Sequence, residues 1–131
     1  MEDAMKKVMQ DCTEASDQER ITFPEVVGRL AAAGVERYHA DLQRHEKVYY
    51  MPDGRSHAVA SRPVEEPVAM AFSATGVAAA VGAAQAGTIQ YGEFCRRIQR
   101  AGCVGYFVSM SGRRAVYFGR SSECHVEHFP T

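Results

Sequence analysis

Apolar residues recur along this chain with two different periods, and the switch between them marks its elements. Met5, Val8, Met9 and Cys12 stand at i, i+3, i+4 and i+7, which predicts a helix from about Asp3 to Ser16 with one apolar stripe. Thr22-Phe-Pro-Glu25 then reads as a second helix start. Thr22 is the N-cap, Pro24 is tolerated in the first turn, Glu25 at N3 closes a capping box, and Ile21 and Val26 hold the staple positions. Gly34 is the expected left-handed stop. Beyond it the period falls to two: Tyr38, Ala40 and Leu42 alternate with His39 and Asp41, as in a half-buried strand. A turn at Gln43 to Glu46 leads to a second strand, Lys47 to Met51. Pro52-Asp-Gly54 fits a three-residue hairpin loop, and a third strand follows around Arg55 to Ala60.

The whole pattern then returns. Residues 21–60 and 89–128 align without a gap at a constant offset of 68. Ile21/Ile89, Glu25/Glu93, Arg29/Arg97, Ala33/Ala101, Gly34/Gly102, Tyr38/Tyr106, Val48/Val116, Tyr49/Tyr117 and His57/His125 are identical pairs, where chance at average composition gives roughly two or three. In the second copy Ile89 and Phe94 repeat the staple, Gln90 is a poorer cap than Thr22, and Gly102 is the stop. Tyr106, Val108 and Met110 carry the strand period. A turn at Ser111 to Arg114 precedes strands at Ala115 to Gly119 and Glu123 to Phe129.

These readings predict an α+β protein: duplicated helix, helix, three-strand meander units packed as one pseudo-twofold domain. Residues 1–131 form that single domain, with repeats at 1–62 and 68–131 joined by the Pro- and Glu-rich linker 61–67. The alternative leaves 68–87 as an ordered loop and the chain with three helices. No charge falls between Val68 and Gly92, yet this run is rich in Ala and Gly and has no aromatic belt, so it reads as a closely packed small-residue helix rather than a membrane span.

Charge and cysteine usage narrow the setting. Net charge is −1 overall, so no global field recruits nucleic acid or a membrane. Residues 1–67 hold 9 Lys+Arg against 13 Asp+Glu (net −4), while 68–131 hold 6 against 3 (net +3). Complementary halves favour docking of one on the other, and leave open a head-to-tail homodimer or a basic patch built from Arg96, Arg97, Arg100, Arg113, Arg114 and Arg120. Cys12, Cys95, Cys103 and Cys124 have neither the density of a disulfide framework nor C-x-x-C spacing. Cys95 and Cys103 replace Val27 and Val35 of the other copy, as small buried hydrophobes would. A soluble cytoplasmic protein with reduced thiols, no metal and no cofactor is expected.

No nucleotide-binding or hydrolase signature occurs, and no residue is assigned a catalytic role. The repeat nevertheless singles out polar candidates. A three-residue Pro52–Gly54 loop places Tyr49 opposite His57, and the same register places Tyr117 opposite His125. Such pairs could bind a small ligand or shuttle a proton, and would equally serve as cross-strand polar pairs on a solvated face. Tyr38 and Tyr106 read as core tyrosines with satisfied hydroxyls, and Glu25 and Glu93 as capping residues.

The runs Cys12-Thr-Glu-Ala-Ser16, Thr22-Phe-Pro-Glu-Val-Val27, Ala33-Gly-Val-Glu-Arg-Tyr38, Tyr49-Tyr-Met-Pro-Asp-Gly54 and Glu127-His-Phe-Pro130 resemble the YbcV-like family of small bacterial proteins, sometimes labelled phage envelope proteins. The resemblance spans about Asp11 to Pro130. It implies no activity and no catalytic residues, so function rests on the residues themselves. The expectation is a binding or regulatory module with its ligand groove where the repeats meet. The alternatives are a small enzyme using a Tyr/His acid-base pair and a phage-associated interaction factor.

Overall fold

The computed structural model describes residues 2–130; Met1 and Thr131, the ends of the expected domain, lie outside the described residues. The chain runs α1 (Asp3–Asp17), α2 (Phe23–Ala32), β1 (Arg37–Asp41), β2 (Glu46–Tyr50), β3 (Ser56–Ala60), α3 (Ala74–Gln85), α4 (Tyr91–Arg100), β4 (Cys103–Ser109), β5 (Arg114–Gly119) and β6 (Cys124–His128). The fold is α+β, with one six-stranded antiparallel sheet in the order β3-β2-β1-β4-β5-β6. Strand edges differ from the sequence reading by a residue or so: β2 and β5 begin at Glu46 and Arg114, inside the expected turns.

Local chemistry explains the element ends. Thr22 accepts from the Glu25 N–H while Glu25 accepts from the Thr22 N–H, closing the expected box. Gln90 makes no such bond at the start of α4. Glu93 turns instead to Arg96 and Arg97, each 2.9 Å away, which corrects its reading as a cap. The small-residue run forms α3 only from Ala74, where Ser73 caps the Gly76 N–H at 3.0 Å; residues 68–73 are a non-helical strap. The loop alternative for 68–87 therefore holds only for its first part. Where α3 crosses α4, a methyl on Gly76 would stand 3.0 Å from the Ala101 methyl, so the absent side chain sets the approach of the two helices.

Backbone conformation follows the 68-residue offset closely. Among the described residues the left-handed positions are Glu19 and Gly87, Gly34 and Gly102, His45 and Arg113, Gly54 and Ser122, four pairs each 68 apart. At the sheet's centre β1 pairs with β4, and His39 faces Phe107, its own counterpart by the offset. On either side, Leu42 N–H donates to Val104 O at 3.1 Å and Met110 N–H to Glu36 O at 2.9 Å, again counterparts.

The core lies between the helices and one sheet face. Tyr38, Ala40, Tyr49, Val59, Tyr106, Val108, Ala115 and Tyr117 point inward against Met9, Cys12, Val26, Leu30, Val77, Phe94, Cys95 and Ile98. On the opposite face a row of His39, Val48, Phe107, Val116 and Val126 crosses the strands, half-buried or exposed. His39 stacks on Phe107 with ring centroids 4.4 Å apart, and burial pushes its imidazole pKa down, favouring the neutral ring.

Candidate functional site

The inward rows of the sheet decide what a ligand could meet. One row reads His57, Tyr49, Tyr38, Val108, Ala115, Glu127 and the next Val59, Lys47, Ala40, Tyr106, Tyr117, His125. The expected registers, Tyr49 opposite His57 and Tyr117 opposite His125, are both present. Neither pair is joined by a hydrogen bond among the described residues. The Tyr49 hydroxyl, with the residue 1% exposed, bonds to Thr13 on α1 at 2.6 Å, and Thr13 in turn donates to Met9 O at 2.9 Å. His125 Nε2 lies 2.5 Å from Glu127, its neighbour on the same face of β6. The structure thus sets the four residues in register without building two Tyr/His dyads.

A cleft of about 760 Å³ opens between the helices and the sheet, within the size range of small-molecule sites. Both halves line it at matching positions: Ile21 with Ile89, Val26 with Phe94, Tyr38 with Tyr106. Of the four sequence candidates only Tyr117 reaches it; Tyr49, His57 and His125 do not. The difference between the tyrosines lies above them. Thr13 covers Tyr49, whereas its counterpart on α3 is Val81, which offers no hydrogen bond and itself lines the cleft beside Tyr117.

Lys47 is the residue that sequence reading passed over. It is 3% exposed, its ammonium lies 4.6 Å from the Tyr91 ring centroid and 5.9 Å from that of Tyr38, and it lines the cleft. Its cross-strand neighbours are Ala40 and Val59, and no carboxylate lies within 4.0 Å of it among the described residues. Burial therefore pushes its pKa down, with Cys95, Asp17 and Cys12 only partly opposing. A signal was present: Lys47 shares the inward parity of Tyr49, and its counterpart is Ala115.

Tyrosine rings flank the amine. Tyr91 and Tyr106 bond to each other at 3.0 Å, while Tyr38 has no protein partner among the described residues, contrary to its reading as a satisfied core tyrosine. Desolvation holds the Tyr38, Tyr91, Tyr106 and Tyr117 phenols well above their ordinary pKa, so they remain protonated donors. Cys95 and Cys103 are buried and pushed up to about 11 by desolvation, which makes them inert thiols rather than nucleophiles.

The arginines are largely used within the chain. Arg96 and Arg97 bind Glu93, Arg100 binds Glu66 at 3.0 Å, Arg120 donates to Val68 O and Ala69 O, and Arg113 lies over the Phe129 ring. Glu66–Arg100 and the Gly92 N–H to Glu19 bond at 3.3 Å join the two halves. Among the described residues no group of three or more His, Cys, Asp or Glu is placed to hold a metal ion, and no helix is long and apolar enough to cross a membrane.

The architecture and cleft define a class by form alone: an antiparallel sheet covered on one face by four helices, with a ligand-sized opening between. Comparison with known proteins adds relatives whose names state no activity. The chain is 36% identical over 59 residues to "Uncharacterized protein Rv2012" and "Uncharacterized protein MT2067" of Mycobacterium tuberculosis and to "Uncharacterized protein Mb2035" of Mycobacterium bovis. The match takes in 45% of this chain and 36% of each relative, so it spans little more than a third of those proteins. No family model matches the chain, and the likeness to YbcV-like proteins gains no support from one.

Proposed function

We propose that the chain is a binding module, built from two copies of one ancestral unit at 1–62 and 68–131, that holds a small and mainly apolar molecule in the cleft where the copies meet. The observation that carries this reading is the 760 Å³ cleft itself, walled by Ile21, Val26, Val81, Ile89 and Phe94 and equipped on its floor with one amine and several phenol hydroxyls. That combination, an apolar wall with a few convergent polar groups, is what orients a small ligand. The duplication reading is supported by the left-handed residues paired at 68 and by the His39–Phe107 contact. Charge at the opening indicates the ligand's character: Glu19, Glu25 and Glu127 stand there with Arg20 and His128, a surround that favours neutral molecules over anions.

The enzyme alternative built on Tyr49/His57 and Tyr117/His125 gains nothing from the geometry, since both imidazoles lie off the cleft. A thermal-shift screen of neutral aromatic and aliphatic compounds tests the binding reading, on wild type and on Ala84→Trp, which fills the cleft from α3. A ligand at about 100 times its Kd adds about 2.7 kcal/mol to stability, readily visible as a raised Tm. The shift should vanish in Ala84→Trp. A screen without hits, or hits indifferent to that substitution, would overturn the proposal.

A further inference from the structure

We infer that Lys47 is a nucleophilic amine that captures a carbonyl compound in the cleft as a reversible imine. This rests on the cleft being a ligand site and names the class of ligand, an aldehyde or ketone on an apolar body. Three observations converge on it. The amine is enclosed by tyrosine rings and opens on the cleft rather than on bulk solvent. Its neighbours make no salt bridge to it: Ala40 and Val59 flank it on the sheet, and the Asp17 carboxylate of α1, which opposes the effect of burial only in part, accepts the Arg62 N–H at 2.8 Å. At the opening Glu19, Glu25 and Glu127 outnumber Arg20, which disfavours a competing use of the buried cation, a salt bridge to an anionic ligand.

The remaining groups that face Lys47 suit the same chemistry. Cys12 of α1 and Cys95 of α4 have pKa values raised by burial and remain neutral thiols. Tyr38, Tyr91 and Tyr106 remain phenols. Burial also lowers the pKa of the amine, which increases the fraction carrying a free lone pair near neutral pH. That lone pair adds to the carbonyl carbon while a proton moves from nitrogen to oxygen, giving a carbinolamine. The hydrogen-bonded Tyr91–Tyr106 pair protonates the departing hydroxyl, leaving an iminium, one water and a phenolate; the iminium N–H then returns its proton to the phenolate to give the imine, and no oxidant or reductant enters. Water reverses the sequence and frees the ligand.

Lysine occurs only at positions 6, 7 and 47, so the chain carries its own controls. Wild-type protein is treated with benzaldehyde and cyanoborohydride at pH 7, which reduces any imine to a stable benzylamine, and modification is read by peptide mapping. Lys47 should be benzylated roughly tenfold faster than Lys6 or Lys7, because only the neutral amine attacks and only Lys47 has a cavity to hold the aldehyde. Modification of Lys47 at or below the rate of Lys6 and Lys7 would overturn the inference. Benzyl alcohol and benzoate, nearly the same shape without an aldehyde, separate the two levels of the argument. If benzyl alcohol raises the Tm while Lys47 shows no preference, the cleft binds and the imine is wrong; if neither occurs, both readings fall. A Tm rise with benzoate that exceeds benzyl alcohol's and disappears in Lys47→Met would make Lys47 an anion anchor and overturn the inference too. Should Lys47→Met not fold, the ratio among the three wild-type lysines still decides.

Discussion

The two halves of the molecule share one backbone plan and fill it differently, and the cleft lies where the fillings part. In the first half α1 is a 15-residue helix that brings Thr13 to Tyr49 and seals that hydroxyl. In the second, the 12-residue α3 sets Val81 and Ala84 over the equivalent ground, and Tyr117 stays open to a ligand-sized space. Beneath, Lys47 stands in one half where Ala115 stands in the other. A common scaffold therefore supplies position, and departures from likeness supply chemistry.

The comparison is most easily broken at the two helix-stopping glycines. Gly34 and Gly102 have φ near +85° and +88°, but a methyl at Gly34 would find only the tip of Met51 at 3.6 Å, whereas at Gly102 it would meet Ala71 O at 2.2 Å. Gly34→Ala should cost about 1 kcal/mol from backbone conformation alone. Gly102→Ala should cost about 3 kcal/mol or more, because the 68–73 strap must also move. Urea denaturation of both variants checks the order, and equal losses would mean that the strap is not seated on Gly102.

Lys47→Met should stabilise the chain by about 2 kcal/mol at pH 7, since it removes a buried charge lacking a close partner. The pKa of Lys47 is lower in the folded than in the unfolded chain, so the unfolded chain binds more protons across the interval between them and wild-type stability gains as pH rises. The gap between variant and wild type should accordingly be widest below the folded pKa and narrow toward the ordinary lysine value of 10.5. The raised tyrosines titrate alike in both chains and drop out of the difference. A gap that stays flat from pH 7 to 10 would show that the ammonium is not desolvated.

Two smaller contrasts sharpen the picture. Tyr49→Phe should lose about 1.5 kcal/mol by deleting a buried hydrogen bond to Thr13, whereas Tyr117→Phe should change stability by less than about 0.5 kcal/mol. Thr22→Ala should cost about 1 kcal/mol through loss of the capping box, against a few tenths for Gln90→Ala, which forfeits no cap bond. Thermal melts of each pair compare the halves directly.

Much of what could be read in the sequence lies in what residues 21–60 and 89–128 hold in common. Tyr49 and Tyr117, Gly34 and Gly102, and the hairpin that sets Tyr49 against His57 all follow from periodicity and turn chemistry, because those depend on residues close in the chain. Helix placement above the sheet is a long-range matter, and it decided which tyrosine would be sealed. Identity between copies was also the filter that picked the candidates, so it selected against Lys47, whose interest is that it is unmatched. The inward parity of Lys47 on β2 was legible; that it would find apolar cross-strand neighbours required knowing that β1 and β3 flank it at Ala40 and Val59.

A residue on the dyad of a homodimer can touch only a replica of itself, which restricts what natural variation can build there. Within a single polypeptide that restriction does not hold. His39 and Phe107 occupy the equivalent spot in this chain and are unlike, an imidazole laid flat on a phenyl ring, a pairing forbidden to identical subunits. The same freedom permits a lone amine at Lys47, where strict symmetry would have set a second one at position 115, beyond β1 and β4.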